Sequence, residues 1–401
     1  MLFDQIDRTS THFASNLEPK FDFYNRISGE YWADIRELLE AWFERFPDSG
    51  RRELRQNFRS RDNTNHDAAF WELYVHQAFS LLNFEASVHP NLASSPNRPD
   101  FLMTGAQSSL YVEALTVHDD DSEKSIDKVR GSIVDAINER VRSDHFRLGI
   151  EFESDSLAQP PTRRLCQDLS LWLRQLEKSR HDLIPANLGA VVSYQEKIWL
   201  YPEWRIRFTA MLITDRKFLK SNPRIILFGP SGFRIVDDHT QFGDSLRRKA
   251  SRYGELDKPF VLALQCTRIA TNDGELALAL FGGTTGGKYS TNGVLPGDMP
   301  DDMNGLWASR NGPRARGISA VLSGLHIAPH TVASASPKLF LNPWATMPLE
   351  FELPFQKIEL NTNTGVLETT QATMPIHKFM GLSSDWPKST PFPVEGHSDS
   401  Q

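Results

Sequence analysis

The segment 98–117, RPDFLMTGAQSSLYVEALTV, places one acidic residue in each of two apolar runs. The runs PDFLM and LYVEALTV flank a polar turn, TGAQSS, and predict a β-hairpin with Asp100 on one strand and Glu113 on the other. A carboxylate inside an apolar strand is costly unless something compensates it. Two of them on adjacent strands make a cradle for a hard divalent cation, because Mg²⁺ prefers oxygen ligands and keeps several waters.

The rest of the chain narrows the setting. Its 401 residues can bury a sizeable core and suggest two or three domains. With 39% hydrophobic and 24% charged residues it reads as a soluble globular protein. A net charge of −7 gives no global attraction to nucleic acid, so any such site must be a local patch. The two cysteines, Cys166 and Cys266, lie far apart with no CxxC pattern, which fits a reducing compartment and argues against zinc. The opening MLFDQIDRTSTHF is mixed and charged rather than a signal peptide, and no run of about 18 apolar residues predicts a membrane span. A cytoplasmic location without a membrane partner is expected.

Periodicity gives the element order. Residues 1–64 read as polar and helical, with helices over 30–46 and 51–61. NHDAAFWELYVHQAFSLL (65–82) is the clearest helix, with Asn65 or Asp67 as its cap. A strand over 83–90 and the hairpin follow. Next come a charged helix (about 123–142), a strand FRLGIEFE, a helix (about 162–178), a β-rich stretch (189–214) and a strand RIILFG (224–229). A helix around 242–254 leads into PFVLALQ (259–265), an apolar run of the kind found in buried strands. Residues 282–317 read as a long loop, ordered structure returns at 315–327 and 338–345, and 383–401 reads as a disordered tail.

A helix bearing Glu72, a strand, a strand with Pro99-Asp100, a strand with Glu113, and a later helix and buried strand resemble the PD-(D/E)xK nuclease superfamily. That family has a restriction-endonuclease-like α-β-β-β-α-β core. Pro99-Asp100 matches its first element, Glu113 the acidic position of the second, and Glu72 the helix carboxylate. The lysine position, two after Glu113, is Leu115. In some members the lysine sits on a neighbouring element. Lys249, in SLRRKASRYG, and Lys128 are the candidates, and Lys249 is preferred because the strand after it is the more apolar. Tyr253 lies at i+4 from Lys249 and can face the same way.

The resemblance implies an α/β protein with a restriction-endonuclease-like mixed β-sheet core flanked by helices. A helical N-terminal region (1–64) and a C-terminal α+β region (271–382) would be accessories to a core at 65–270 with an insertion at about 118–240. It implies a Mg²⁺- or Mn²⁺-dependent endonuclease acting on DNA, a possible homodimer, serving in restriction or defence against mobile elements. Asp100 and Glu113, with a main-chain carbonyl near Ala114, would hold the metal. Glu72 would bind a second ion or its water, and Lys249 would orient the nucleophile. The alternative is a degenerate member of the fold that binds nucleic acid or a protein partner without cleaving.

Other signals are weaker. Arg51, Arg55 and Arg59 fall at i, i+4 and i+8 and form a basic stripe, joined by Arg52 and Arg61. Such a stripe could track phosphates, or pair with local acids such as Glu53. Arg248 and Arg252 belong to a second basic cluster around Lys249 and are further nucleic-acid contacts if that lysine is in the site. GGTTGGK (282–288) nearly matches a phosphate-binding loop, but Tyr289 stands where a hydroxyl ligand to Mg²⁺ belongs, so it reads as a flexible loop. His76, one turn after Glu72, reads as a packed residue.

Overall fold

The computed structural model describes residues 1–93, 95–118, 121–179, 191–213, 219, 224–228, 238–266, 271–283, 289–295 and 304–392. Four helices open the chain: α1 (Lys20–Arg26), α2 (Glu30–Arg45), α3 (Asp48–Phe58) and α4 (Asn63–Leu81). The cap of α4 is Asp62 rather than Asn65 or Asp67. Its extended backbone lets its carboxylate accept the Thr64 N–H at 2.9 Å. Asp67 sits inside the helix, paired with Lys20 at 2.6 Å. Helix α4 buries Ala69, Phe70, Trp71, Leu73, Tyr74, Val75, Ala78 and Phe79, so it is covered almost all round.

The strands β1 (Glu85–Val88), β2 (Phe101–Thr104) and β3 (Ser109–Thr116) follow. Then come α5 (Asp121–Arg140), β4 (Phe146–Ser154), α6 (Thr162–Lys178), β5 (Val191–Tyr201), β6 (Trp204–Ile213) and β7 (Ile226–Phe228). The chain continues through α7 (Asp238–Ala250), β8 (Phe260–Cys266), α8 (Asp273–Phe281), β9 (Ala320–Leu325), β10 (Lys338–Leu341), β11 (Gln356–Asn361), β12 (Val366–Thr370) and α9 (Ile376–Phe379). Among the described residues no helix is long and apolar enough to cross a membrane.

The chain forms two compact units. The first comprises Met1–Thr9, Pro19–His118 and Val236–Lys388; the second comprises Ser10–Glu18, Asp119–Ile235 and Ser389–Gln401. The insertion expected at 118–240 is thus a unit of its own. The expected N- and C-terminal regions are not separate, because 271–382 and all of 1–64 except Ser10–Glu18 belong to the first unit. Its sheet runs β1-β2-β3-β8-β9-β10-β11-β12, so the C-terminal strands extend the sheet that the hairpin begins. The tail expectation also changes. Residues 383–392 are placed, with Lys388 N–H on Asp34 Oδ2 at 2.9 Å, while 393–401 lie outside the described residues.

The sheet is mixed: β1, β2 and β3 are antiparallel, and β3 runs parallel to β8 and β8 to β9. Every residue of β8 is buried, as its unbroken apolar sequence requires. One sheet face carries Phe101, whose ring meets Phe46 at 6.0 Å and His76 of α4 at 6.4 Å. The other carries Tyr111, Leu262 and Leu264, packed with Phe242 and Leu246 of α7, Tyr253, and Leu276 and Leu280 of α8. Helices therefore cover both faces.

In the second unit, β5-β6-β4-β7 form a four-stranded sheet. Ile133 and Ile137 of α5, Val141 just after it, and Leu165, Leu169 and Leu173 of α6 pack against Leu148, Ile206 and Phe208 on it. On β6 the alternate residues Arg205 and Arg207 pair with Glu153, and Arg207 with Glu196 at 2.9 Å. This is a two-layer arrangement with its own core.

One close approach fixes α4 on the large sheet. The Trp71 indole N–H donates to Ala263 O at 2.8 Å, and its ring lies against Gly324 of β9 so closely that a Cβ there would overlap it. Gly324→Ala is expected to destabilise the protein by about 1–3 kcal/mol through overpacking. A urea midpoint equal to that of wild type would show that Trp71 can move aside.

Candidate active site

The hairpin register brings the two acids together. Phe101 pairs with Val112, and one step further along the same register Asp100 stands opposite Glu113. Two hydrogen bonds tie them. Asp100 N–H donates to Glu113 Oε2 at 3.3 Å, and Ala114 N–H donates to Asp100 Oδ2 at 2.7 Å. The end of β1 adds a third anchor, since His89 N–H donates to Asp100 O at 2.9 Å. Asp100 is half-buried, whereas Glu113 is only 1% exposed.

A buried carboxylate needs compensation, and the segment from α7 to β8 supplies it. Lys249 forms an ion pair with Glu113 Oε1, and the Tyr253 hydroxyl donates to Glu113 Oε2. Lys249 and Tyr253 are separated by one helical turn in sequence, although α7 ends at Ala250. Asn97 Nδ2 donates to Arg252 O at 2.8 Å, which ties this segment to the loop leading into Pro99. Tyr253 is 1% exposed, and burial, with Glu113 adding to it, raises its phenol well above its usual range. It therefore holds Glu113 as a neutral hydrogen-bond donor.

The position of Leu115 now has a physical reason. Alternation along β3 puts Tyr111, Glu113 and Leu115 on one face. Leu115 packs against the apolar cluster that includes Tyr111, Leu262 and Tyr253. Leu115 thus adds to the edge of that cluster, and the cation on the same face is Lys249 of α7. Lys128, the other candidate, lies exposed on α5 in the second unit.

Electrostatics links Glu72 to this pair. Burial, then the Asp100, Glu53 and Glu113 charges, push the Glu72 carboxyl up to about 8, against an opposing pull from Lys249. Burial and Glu113 push Asp100 up to about 7, opposed by Lys249, the Ala114 N–H and Arg252. Crowded, partly desolvated carboxyls of this kind resist ionising together, and a cation relieves them.

The donor set therefore suits a hard cation, but not a closed protein cage. Among the described residues no group of three or more His, Cys, Asp or Glu side chains is disposed to hold a metal ion. Asp100 Oδ1 makes no hydrogen bond among the described residues, while both Glu113 oxygens already have partners. Asp100 Oδ1 is thus a carboxylate oxygen open to a further ligand.

The N-terminal arginine stripe makes contacts within the chain. Arg51 bonds to Phe46 O and Glu44 O, both at 2.8 Å, and pairs with Asp48 at 2.7 Å. Arg55 donates to Met1 O at 2.7 Å. Arg59 donates to Leu2 O and pairs with Asp4, both at 2.8 Å, and lies over the Phe21 ring. Arg51 and Arg59 are thus engaged by the chain's own groups, while Arg55 stays exposed beyond its one Nε bond. Arg248 and Arg252 remain exposed beside Lys249, and the Arg252 charge acts on Asp100. His76 is packed against Phe46 at 4.9 Å, and burial lowers it to about 4. In GGTTGGK only Gly282 and Gly283 are described, the remainder lying outside. Gly282 closes α8, donating to Leu278 O at 2.8 Å, whereas a phosphate loop follows a strand.

Tyr253 is the partner for which sequence reasoning found no role. Its signal was the i+4 spacing from Lys249, but only the fold shows that both reach one carboxylate.

The raised carboxyls set a pH dependence. Unfolded aspartate and glutamate titrate near about 4. Between that value and the folded values the native chain binds more protons than the unfolded one, so these groups lower stability as pH rises. For Asp100 the loss runs from about 4 to about 7 and is complete above that. The stability difference between wild type and Asp100→Asn, followed by urea unfolding without metal, is expected to turn against wild type across this window. A difference independent of pH would contradict the crowding described here.

Compared with known proteins, the chain matches no protein-family model, no curated protein sequence and no solved structure.

Proposed function

We propose that the chain is a metal-dependent nuclease of the PD-(D/E)xK type, with a restriction-endonuclease-like core made of α4, β1, β2, β3, α7 and β8. The observation that carries this reading is the constellation of Asp100 opposite Glu113 with the Lys249 ammonium on Glu113. Two further facts support it. The order and directions of these elements follow the family's α-β-β-β-α-β plan, with antiparallel strands before a parallel crossover. Helix α7 also delivers its lysine to the face from which Leu115 withholds one.

The residues then take defined parts. Asp100 and Glu113 would hold Mg²⁺ or Mn²⁺, with Glu72 adding negative potential and holding water. When bound, the ion supplies charge neutralisation at the phosphate. Lys249 places a positive charge where the phosphodiester gains negative charge in the transition state. Tyr253 keeps Glu113 in one orientation by donating to the oxygen that Lys249 does not use. Arg248 and Arg252 offer guanidinium groups to flanking phosphates.

A second reading has an observation of its own. Lys249 and Tyr253 satisfy both Glu113 oxygens, as in a fold that keeps its frame and binds nucleic acid without cutting it. Cleavage of plasmid, linear duplex and single-stranded substrates with Mg²⁺ or Mn²⁺ separates the two. The nuclease reading expects metal-dependent cutting that is abolished in Asp100→Asn and Glu113→Gln. It expects Lys249→Ala to lower the rate roughly 10²–10³-fold, the scale for loss of one charge-stabilising group. No cutting by folded wild type on any substrate would favour the binding-only reading.

A further inference from the structure

The second unit carries a basic groove that the candidate active site does not use. Its lining includes Arg140 at the end of α5 and Arg163, Gln167, Ser170 and Arg174 on α6, around a volume of about 380 Å³. Arg163, Gln167, Ser170 and Arg174 fall at i, i+4, i+7 and i+11, so they share one face of α6. All three arginines are exposed. Among the described residues Arg174 bonds only to its own helix, at Ser170 O, and the Arg140 contact with exposed Glu139 is long, at 3.8 Å. Among the described residues Arg163 and Arg174 have no carboxylate partner. Asp168 also lines the groove, but its Oδ2 accepts the Trp199 indole N–H at 3.1 Å.

Two features go against simple surface solubility. Arg163 and Arg164 occupy the first turn of α6, which holds no acidic residue, although the helix dipole disfavours cations there. The stripe also stands on a chain of net charge −7. Its geometry selects the ligand. Eleven residues of α-helix separate Arg163 from Arg174 by about 16 Å, too far to converge on one small anion. Arginine forks spaced along a helix fit a polymer with a phosphate at every step.

We propose that this groove binds the phosphate backbone of duplex DNA, which makes the inserted unit a second substrate-holding element. The choice of DNA among linear polyanions rests on the nuclease reading; the presence of a polyanion site does not. Arg140, Arg163 and Arg174 contact phosphates, and Gln167 and Ser170 add hydrogen bonds between them. Contacts of this kind position the substrate and carry no sequence information.

The test uses the full chain in EDTA, with labelled duplex DNA followed by fluorescence anisotropy over a range of salt. The triple variant Arg140→Ala, Arg163→Ala, Arg174→Ala is compared with wild type. An exposed control, Arg316→Ala, Lys378→Ala, Lys388→Ala, removes the same charge elsewhere in the chain. The groove variant is expected to bind more weakly, with a salt slope shallower by about 2.7, or about 0.9 for each phosphate that is no longer neutralised. The control is expected to keep the wild-type slope. Arg163→Glu provides a single exposed change if the triple variant unfolds. Equal slopes for wild type and groove variant, or no DNA binding by wild type, would overturn the proposal. So would inorganic pyrophosphate protecting the groove while DNA affinity stays the same in the variant. Adding Mg²⁺ to the same proteins keeps the two readings apart. Cutting with an unaltered salt slope sinks the groove and leaves the nuclease. Groove-dependent binding without cutting sinks the nuclease and leaves the groove.

Discussion

Glu113 is a buried carboxylate on β3, and the segments around it supply what keeps it there. Removing an ionised acid from water costs several kcal/mol unless opposite charge and hydrogen bonds replace the lost hydration. Lys249, Tyr253 and the Asp100 amide provide that replacement. Each comes from a different place: α7, the turn after it, and the strand opposite. The hairpin register, the crossover through α7 and the apolar run of β8 are thus joined at one side chain. Deleting any single partner would leave the buried charge less fully compensated, so changes here are read together with a check of folding.

The same arrangement gives the site its chemical character. Asp100 and Glu72 stay crowded and partly desolvated, so neither ionises readily without help from a cation. Lys249 moderates that field without abolishing it. On the proposed reading, an ion and a phosphate would each neutralise part of the charge that the other brings to such a site.

Much of this was legible in the sequence, for particular reasons. Acidic residues in apolar runs mark the hairpin, and alternation sets its faces. The clear helix before it and the unbroken PFVLALQ run identify the flanking elements, and the charge-rich stretch between them emerges as a separate unit. Lys249 could be preferred over Lys128 from the apolarity of the strand that follows it. Long-range partners were not legible. Nothing local in β9 to β12 says that they extend the hairpin's sheet, since strand pairing across distant segments leaves no periodic trace. The Arg51, Arg55 and Arg59 stripe looked like a ligand surface because its acceptors, main-chain carbonyls at Met1, Leu2 and Phe46, carry no sequence signature. Asn65 and Asp67 lie nearer the apolar run than Asp62 does, and only the backbone shows where the helix begins.

The most direct measurement is a calorimetric titration of metal-free protein with Mn²⁺ at neutral pH, in wild type and in Asp100→Asn. If the Asp100–Glu113 pair is a metal site, wild type binds the ion with release of protons from the crowded carboxyls, and the variant loses that binding while remaining folded. Binding that is absent in wild type, or equally strong in the variant, would contradict a metal role for the pair.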